Sequence, residues 1–214
     1  MLCCVSTSYH ANQMRIISGS ARGRRLFTPP ERDKQIRPTA DRAREALFSI
    51  IGPDFVNKAR VLDLFAGTGA LGCEALSRGA SHACFIDNSR SALELIARNI
   101  SLVPAGRERS TVIRYDLTGG IAPKNLLGQP HFRFDLVFAD PPYQTDLSAK
   151  ILHFLDNSVV LSENVLVIIE EKRNIDLPLE LKHLVQEDAR KYGDTSFAFY
   201  RRKPPCSQNP GKLP

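Results

Sequence analysis

From Ala59 onward the sequence alternates between two hydrophobic periods, and that alternation limits the fold more than any other feature. ARVLDLF (59–65), HACFID (82–87), STVIRYD (110–116), FRFDLVFAD (132–140) and NVLVIIEEK (164–172) are short β-rich apolar runs. Between them GALGCEALSRG (69–79), SRSALELIARNISLV (89–103) and TDLSAKILHFLDN (145–157) carry helical spacing. A weak helix is expected around Leu177–Leu184, and KHLVQEDARKYGDTSFAFYRRK (182–203) reads as two strands about a Gly-containing turn. Strands separated by helices predict an α/β chain with a mostly parallel sheet covered on both faces; the closing hairpin adds an antiparallel edge. In such sheets a ligand sits beyond the carboxyl ends of the strands.

The N-terminal quarter differs in kind. RIISGSARGRRLFTPP breaks short apolar pieces at Gly19 and Gly23, which suggests a hairpin or extended arm. RPTADRAREALFSII then starts a helix with Thr39 as N-cap and Asp41 in its first turn. Ala43, Ala46, Leu47, Ile50 and Ile51 form its apolar stripe, with Arg42 and Arg44 off the centre. Residues 1–50 hold nine basic side chains against four acids, so +5 of the net +6 charge lies there. A one-ended arginine excess favours a polyanion partner, because guanidinium pairs bidentately with phosphate. No apolar run is long enough to span a bilayer. Five cysteines, none in a C-x-x-C pair, argue against a disulfide framework or zinc site and fit a reducing cytoplasm. Residues 1–13 and 204–214 are expected to be disordered ends, with Met14 an alternative start; 14–51 would be a basic arm and helix on the core, and 52–203 the catalytic domain.

Chemistry concentrates at the strand tips. The first strand runs into DLFAGTGALG, with Asp63 at the tip followed by Gly67, Gly69 and Gly72. Glycines let backbone approach a ligand closely, and the helix after them offers N–H groups. GTGALG is also a G-x-G-x-x-G, but a nicotinamide dehydrogenase is disfavoured: DLFA intervenes between strand and glycines, and Asp63 would repel a pyrophosphate. Asp87 ends the second strand, where a carboxylate can accept from both hydroxyls of a ribose or cap the next helix. Asp116 ends the third, as an acceptor for an adenine amine or as a surface turn acid. The fourth ends in DPPY: Pro141 biases Asp140 away from the helical region, and the two prolines stiffen the corner. A nucleoside with a cationic group near Asp63 describes S-adenosylmethionine.

These motifs carry a resemblance. VLDLFAGTGALG resembles the first motif of class I methyltransferases, and DPPY is similar to the D/N-P-P-Y/F/W motif of enzymes that methylate exocyclic amines. With MRIISGSARGRRLFTPP, RPTADRAREALFSII, EALSRGA and KYGDTSFAFYRR, the chain from Met14 to Lys203 is similar to the RsmD family. That resemblance implies a Rossmann-like fold with a seven-stranded sheet and methyl transfer from S-adenosylmethionine to the N2 amine of a guanine in 16S ribosomal RNA. It implies a cytoplasmic monomer acting within an assembling 30S subunit, without membrane contact. By matching position, Asp63, Phe65, Gly67, Gly69, Asp87 and Asp116 would serve the cofactor, and Asp140, Pro141, Pro142 and Tyr143 the guanine.

The resemblance gives the stiff corner a purpose. An aromatic amine is a poor nucleophile, and Asp140 with the Pro141 carbonyl would accept its two N–H groups and aim the nitrogen at the methyl. Tyr143 would stack on the base, a contact of about 1–3 kcal/mol. The sulfonium is already activated, so no metal is required. Arg22, Arg24, Arg25, Arg37, Thr39 and Arg42 are the candidate RNA contacts. Tyr192 and Arg190 either flank the substrate entrance or pack structurally. The rival readings are a DNA adenine or cytosine amino-methyltransferase and an idle RNA-binding module.

Overall fold

A computed structural model describes residues 14–29, 41–119, 133–142, 146–173 and 175–204. Seven strands form one sheet: β1 (Arg60–Leu64), β2 (His82–Asp87), β3 (Ser110–Arg114), β4 (Phe134–Ala139), β5 (Leu161–Lys172), β6 (Leu184–Tyr192) and β7 (Thr195–Arg202). Their order is β3-β2-β1-β4-β5-β7-β6. The first five are parallel, and β7 runs antiparallel between β5 and β6, which leaves β6 as the edge. This is a Rossmann-like sheet, with its antiparallel closing hairpin where the sequence reading expected it.

The pattern inside the strands explains the layering. β1, β2 and β4 are buried along nearly their whole length, as parallel strands covered on both faces must be. Helices α1 (Asp41–Ile51), α3 (Ala70–Ser77) and α4 (Arg90–Ile100) cover one face, and α5 (Leu147–Asp156) the other. A one-turn helix, α2 (Pro53–Val56), links α1 to β1. Val61, Phe85, Leu136 and Phe138 point into the first layer; Leu62, Leu64, Val137 and Ile169 point into the second. Among the described residues no helix is long and apolar enough to cross a membrane.

Met14–Leu26 forms the expected hairpin, with Ile16 N–H donating to Arg24 O at 2.9 Å and Leu26 N–H to Met14 O at 2.9 Å. It lies against α3. Ser20 N–H donates to Ser77 O, and a Cβ on Gly19 would fall 1.8 Å from that same oxygen. Only glycine, here at φ 82°, allows so close a seat.

Two expectations fail. Residues 177–184 form no helix: Glu180 bridges Val185, and the amides of Lys182, His183 and Leu184 all donate to buried Asp156 at the end of α5. A carboxylate that accepts three successive N–H groups competes directly with helical bonding there. The α1 stripe is also rotated from the expected one. Arg44, Leu47, Phe48 and Ile51 are buried, whereas Ile50 is exposed. Arg44 goes inside because Asp41, Glu74 and the Arg15 carbonyl meet its guanidinium.

Candidate functional site

The turn after β1 is built from left-handed backbone. Phe65, Gly67 and Gly69 have φ of 56°, 55° and 71°, and Gly69 N–H closes on Ala66 O at 2.6 Å. Gly69 leads into α3 with no side chain capping it, so the helix start opens onto the strand tips. Gly72 lets this helix sit down on β2: a Cβ there would lie 2.3 Å from the Phe85 ring.

Two acids hold this loop from different sides. Asp87 accepts from Gly67 N–H and from Ser89 N–H, one carboxylate oxygen each and both at 2.9 Å. Ser89, and not Asp87, caps α4, by accepting from Ala92 N–H. Asp63 lies beneath, 2 % exposed, and accepts from Gly72 N–H at 2.9 Å. Burial lifts its pKa to about 8 against the opposing pull of the Gly72 amide, with the Asp87 charge adding to the rise. At neutral pH the Asp63 side chain is therefore mostly protonated, and it braces the loop rather than lining an open surface.

The other strand tips adjoin this loop. Tyr115 N–H donates to Asp87 O, which sets Asp116 one strand further along. Asp116 is exposed and accepts from the Thr118 amide and hydroxyl on one oxygen, which lowers its pKa, the hydroxyl acting most. On the other side Asp140 N–H reaches Leu64 O at 3.4 Å. Asp140 is half-buried, Pro141 buried and Pro142 exposed. Asp87, the glycine turn and the Asp140 corner therefore stand on three adjacent strand ends. The chain order reverses between β1 and β4, the place where such sheets open a crevice.

Of the candidate RNA contacts, Arg22, Arg24 and Arg25 are exposed on the hairpin and Arg42 is exposed on α1. Arg24 also donates to Leu102 O. Arg37, Thr39 and Tyr143 lie outside the described residues, as do 1–13 and 205–214. Arg190 is exposed and pairs with Asp188, and Tyr192 stacks on Phe197 at 5.8 Å between centroids.

Three buried polar residues that seat the hairpin escaped the sequence reading. Glu74, wholly buried, accepts from Ile17 and Ser18 N–H at 2.7 and 3.0 Å and from Arg78 at 2.7 Å, with Arg44 3.9 Å away. Ser77 accepts from Ala21 N–H and donates to Ser18 O. Asn99, also wholly buried, bonds Phe27 and the loop residue Thr68. Each had a signal: a polar residue at an apolar position of a helical repeat.

The family described as conserved hypothetical protein 95 matches residues 14–201. Ribosomal RNA small subunit methyltransferase D of Escherichia coli K12 is 34% identical over 193 residues, 90% of this chain and 92% of its own. The protein of the same name from Haemophilus influenzae is 34% identical over 82% of this chain and 86% of its own. Among solved structures, yhhF of Escherichia coli, a candidate methyltransferase by name, superposes with a TM-score of 0.73 at 29% identity, covering 89% of this chain and 98% of that one.

Proposed function

The chain belongs to the RsmD family, described as conserved hypothetical protein 95, and on that premise we propose that it methylates the N2 amine of a guanine in 16S ribosomal RNA. Methylation of small-subunit ribosomal RNA is the activity named for its relatives. The guanine, its N2 amine and the setting, a monomer working on an assembling subunit in the cytoplasm, are the finer parts of the proposal. The observation that carries it is the shared footing of loop and corner. Leu64, from which the glycine turn springs, accepts the Asp140 amide, so any group held over the turn lies beside the corner.

The residues present suit S-adenosylmethionine. Asp87 spends one lone pair of each oxygen on backbone and keeps others for a ribose diol. Asp116 keeps a free-facing carboxylate oxygen at the next strand tip for an amine, and Phe65, Gly67 and Gly69 offer close backbone approach. When bound, S-adenosylmethionine supplies a methyl carbon already activated by its sulfonium. Asp140 and the Pro141 carbonyl hold the two N–H groups of the guanine amine and turn its nitrogen toward that carbon. Pro141 and Pro142 fix these acceptors beforehand, so little reorganisation is needed in the reaction. Tyr143 provides the stacking surface. Alignment of this kind is worth about 7–11 kcal/mol in favourable cases.

The test is methyl transfer from labelled S-adenosylmethionine to 16S rRNA, 30S particles and DNA, with digestion of the product to nucleosides. Label should appear as N2-methylguanosine, and Asp140→Ala should lose about 10²-fold in rate, the cost of a misplaced reactant. Labelled DNA with unlabelled RNA would overturn the substrate, and an undiminished Asp140→Ala rate would overturn that residue's role.

A further inference from the structure

Asn99 stands on α4 in line with Ala92, Leu95, Ile96 and Ile100, a stripe that is otherwise apolar. Its side chain is fully buried and every hydrogen of its amide is used. Oδ1 accepts from Phe27 N–H at 2.7 Å, and Nδ2 donates to Phe27 O at 2.9 Å and to Thr68 O at 2.8 Å. Two carbonyls and one N–H fix the amide's orientation without ambiguity. Phe27 closes the N-terminal hairpin; Thr68 lies between the two glycines of the turn after β1. The other end of the hairpin reaches the same loop residue, with Met14 Sδ 4.0 Å from Thr68 Oγ1. Phe27 is further held by the Arg98 guanidinium, 3.8 Å from its ring centroid. One buried amide thus joins the backbone of the basic hairpin to the backbone of the glycine loop.

We propose that Asn99 is a positioning residue that joins hairpin and loop into one unit, so that RNA on the hairpin and S-adenosylmethionine on the loop strengthen each other's binding. The inference rests on the functional reading above, which gives the loop to the methyl donor and the hairpin to RNA. Its physical content is a shared anchor: one amide ties the Phe27 backbone to the Thr68 backbone, so the placement that one ligand favours in its own segment is the placement that the other ligand meets. The coupling is reciprocal by thermodynamic necessity, and couplings of this kind commonly amount to 5–150-fold in affinity. A buried side chain that only held the fold together would weaken both sites without linking them.

The experiment measures the dissociation constant of S-adenosylhomocysteine by calorimetry, with and without saturating 16S rRNA. Wild type should bind at least about 5-fold more tightly with RNA present. Asn99→Asp keeps the shape but points oxygen at a carbonyl, and Asn99→Ala removes all three bonds; in both, the ratio should fall to within about twofold of unity. A plain loss of stability does not lower that ratio: a variant that stays folded keeps both constants, and one that partly unfolds shows a larger ratio, because bound RNA restores the folded state. If the variants do not fold, hydrogen exchange on wild type decides. S-adenosylhomocysteine should slow exchange in residues 14–29, and 16S rRNA should slow it in residues 65–72. A ratio of one in wild type, a ratio unchanged in the variants, or exchange confined to each ligand's own segment would overturn the coupling. Failure of wild type to bind S-adenosylhomocysteine at all would instead overturn the functional reading beneath it.

Discussion

Asp63 illustrates how far a single residue's role can be read before its surroundings are known. Its place at a strand tip before glycines marked it as important, and the structure puts it against Gly72 N–H under α3. Burial was the illegible part, because it depends on Phe85 and α3 closing over the carboxyl. With its pKa raised to about 8 from a usual 3.8, the native chain retains a proton that the unfolded chain releases between those limits. Stability therefore falls as pH rises from about 4 to about 8 and levels off above, since below that window both states are protonated and above it both are ionised. Asp63→Asn, which can still accept from Gly72, should gain on wild type across that window. Urea unfolding at pH 5 and at pH 8 reads the change; an equal difference at the two values would count against the buried carboxyl.

At the level of elements, the seven strands and the main helices were located from the sequence, most of them because their apolar runs are strong and their ends carry Gly, Pro or Asp, and the polar edge strand β6 through the Gly-containing turn beside it. It misjudged orientation where a polar residue sits on an apolar face. α3 reads ALGCEALS and is buried on every side, so Glu74 has no polar face to occupy. It fits because two amides of the hairpin, 57 and 56 residues away, and Arg44 of α1 converge on it, beside Arg78 four residues on at the end of its own helix. Of these, only Arg78 could be read from spacing; spacing along one element cannot reveal the others. The same holds for Arg44 on α1 and for Asp156, whose three amide donors replace the helix expected over 177–184. Glu74→Ala leaves the Arg44 charge buried with less compensation and frees two hairpin amides. Loss of one partner from a buried pair costs about 3–5 kcal/mol, and chemical denaturation should show a loss of that size. A change under about 1 kcal/mol, the range of exposed pairs, would contradict the network.

Across the whole molecule, charge and chemistry come from different parts of the chain and meet through packing. The arginine excess lies in the first fifty residues, whereas the proposed methyl-transfer site is built from strand tips between Asp63 and Asp140. Arg22 and Arg25 are exposed on the hairpin. Arg22→Gln with Arg25→Gln should weaken 16S rRNA binding and reduce the slope of log affinity against log salt by about 1.4, at about 0.7 per lost single-strand phosphate contact. Filter binding across a salt series measures that slope, and an unaltered slope would remove both arginines from the interface. The parallel core was legible in the sequence because each strand announces itself locally. The mutual placement of hairpin and crevice was not, since it depends on a glycine meeting a serine carbonyl 58 residues away. That contact at Gly19 has a mechanical consequence: with backbone pressed on backbone, the hairpin tip has no room to settle deeper onto α3. On the function proposed above, RNA resting on the hairpin would stand at a set reach from the strand tips, as work does against a stop.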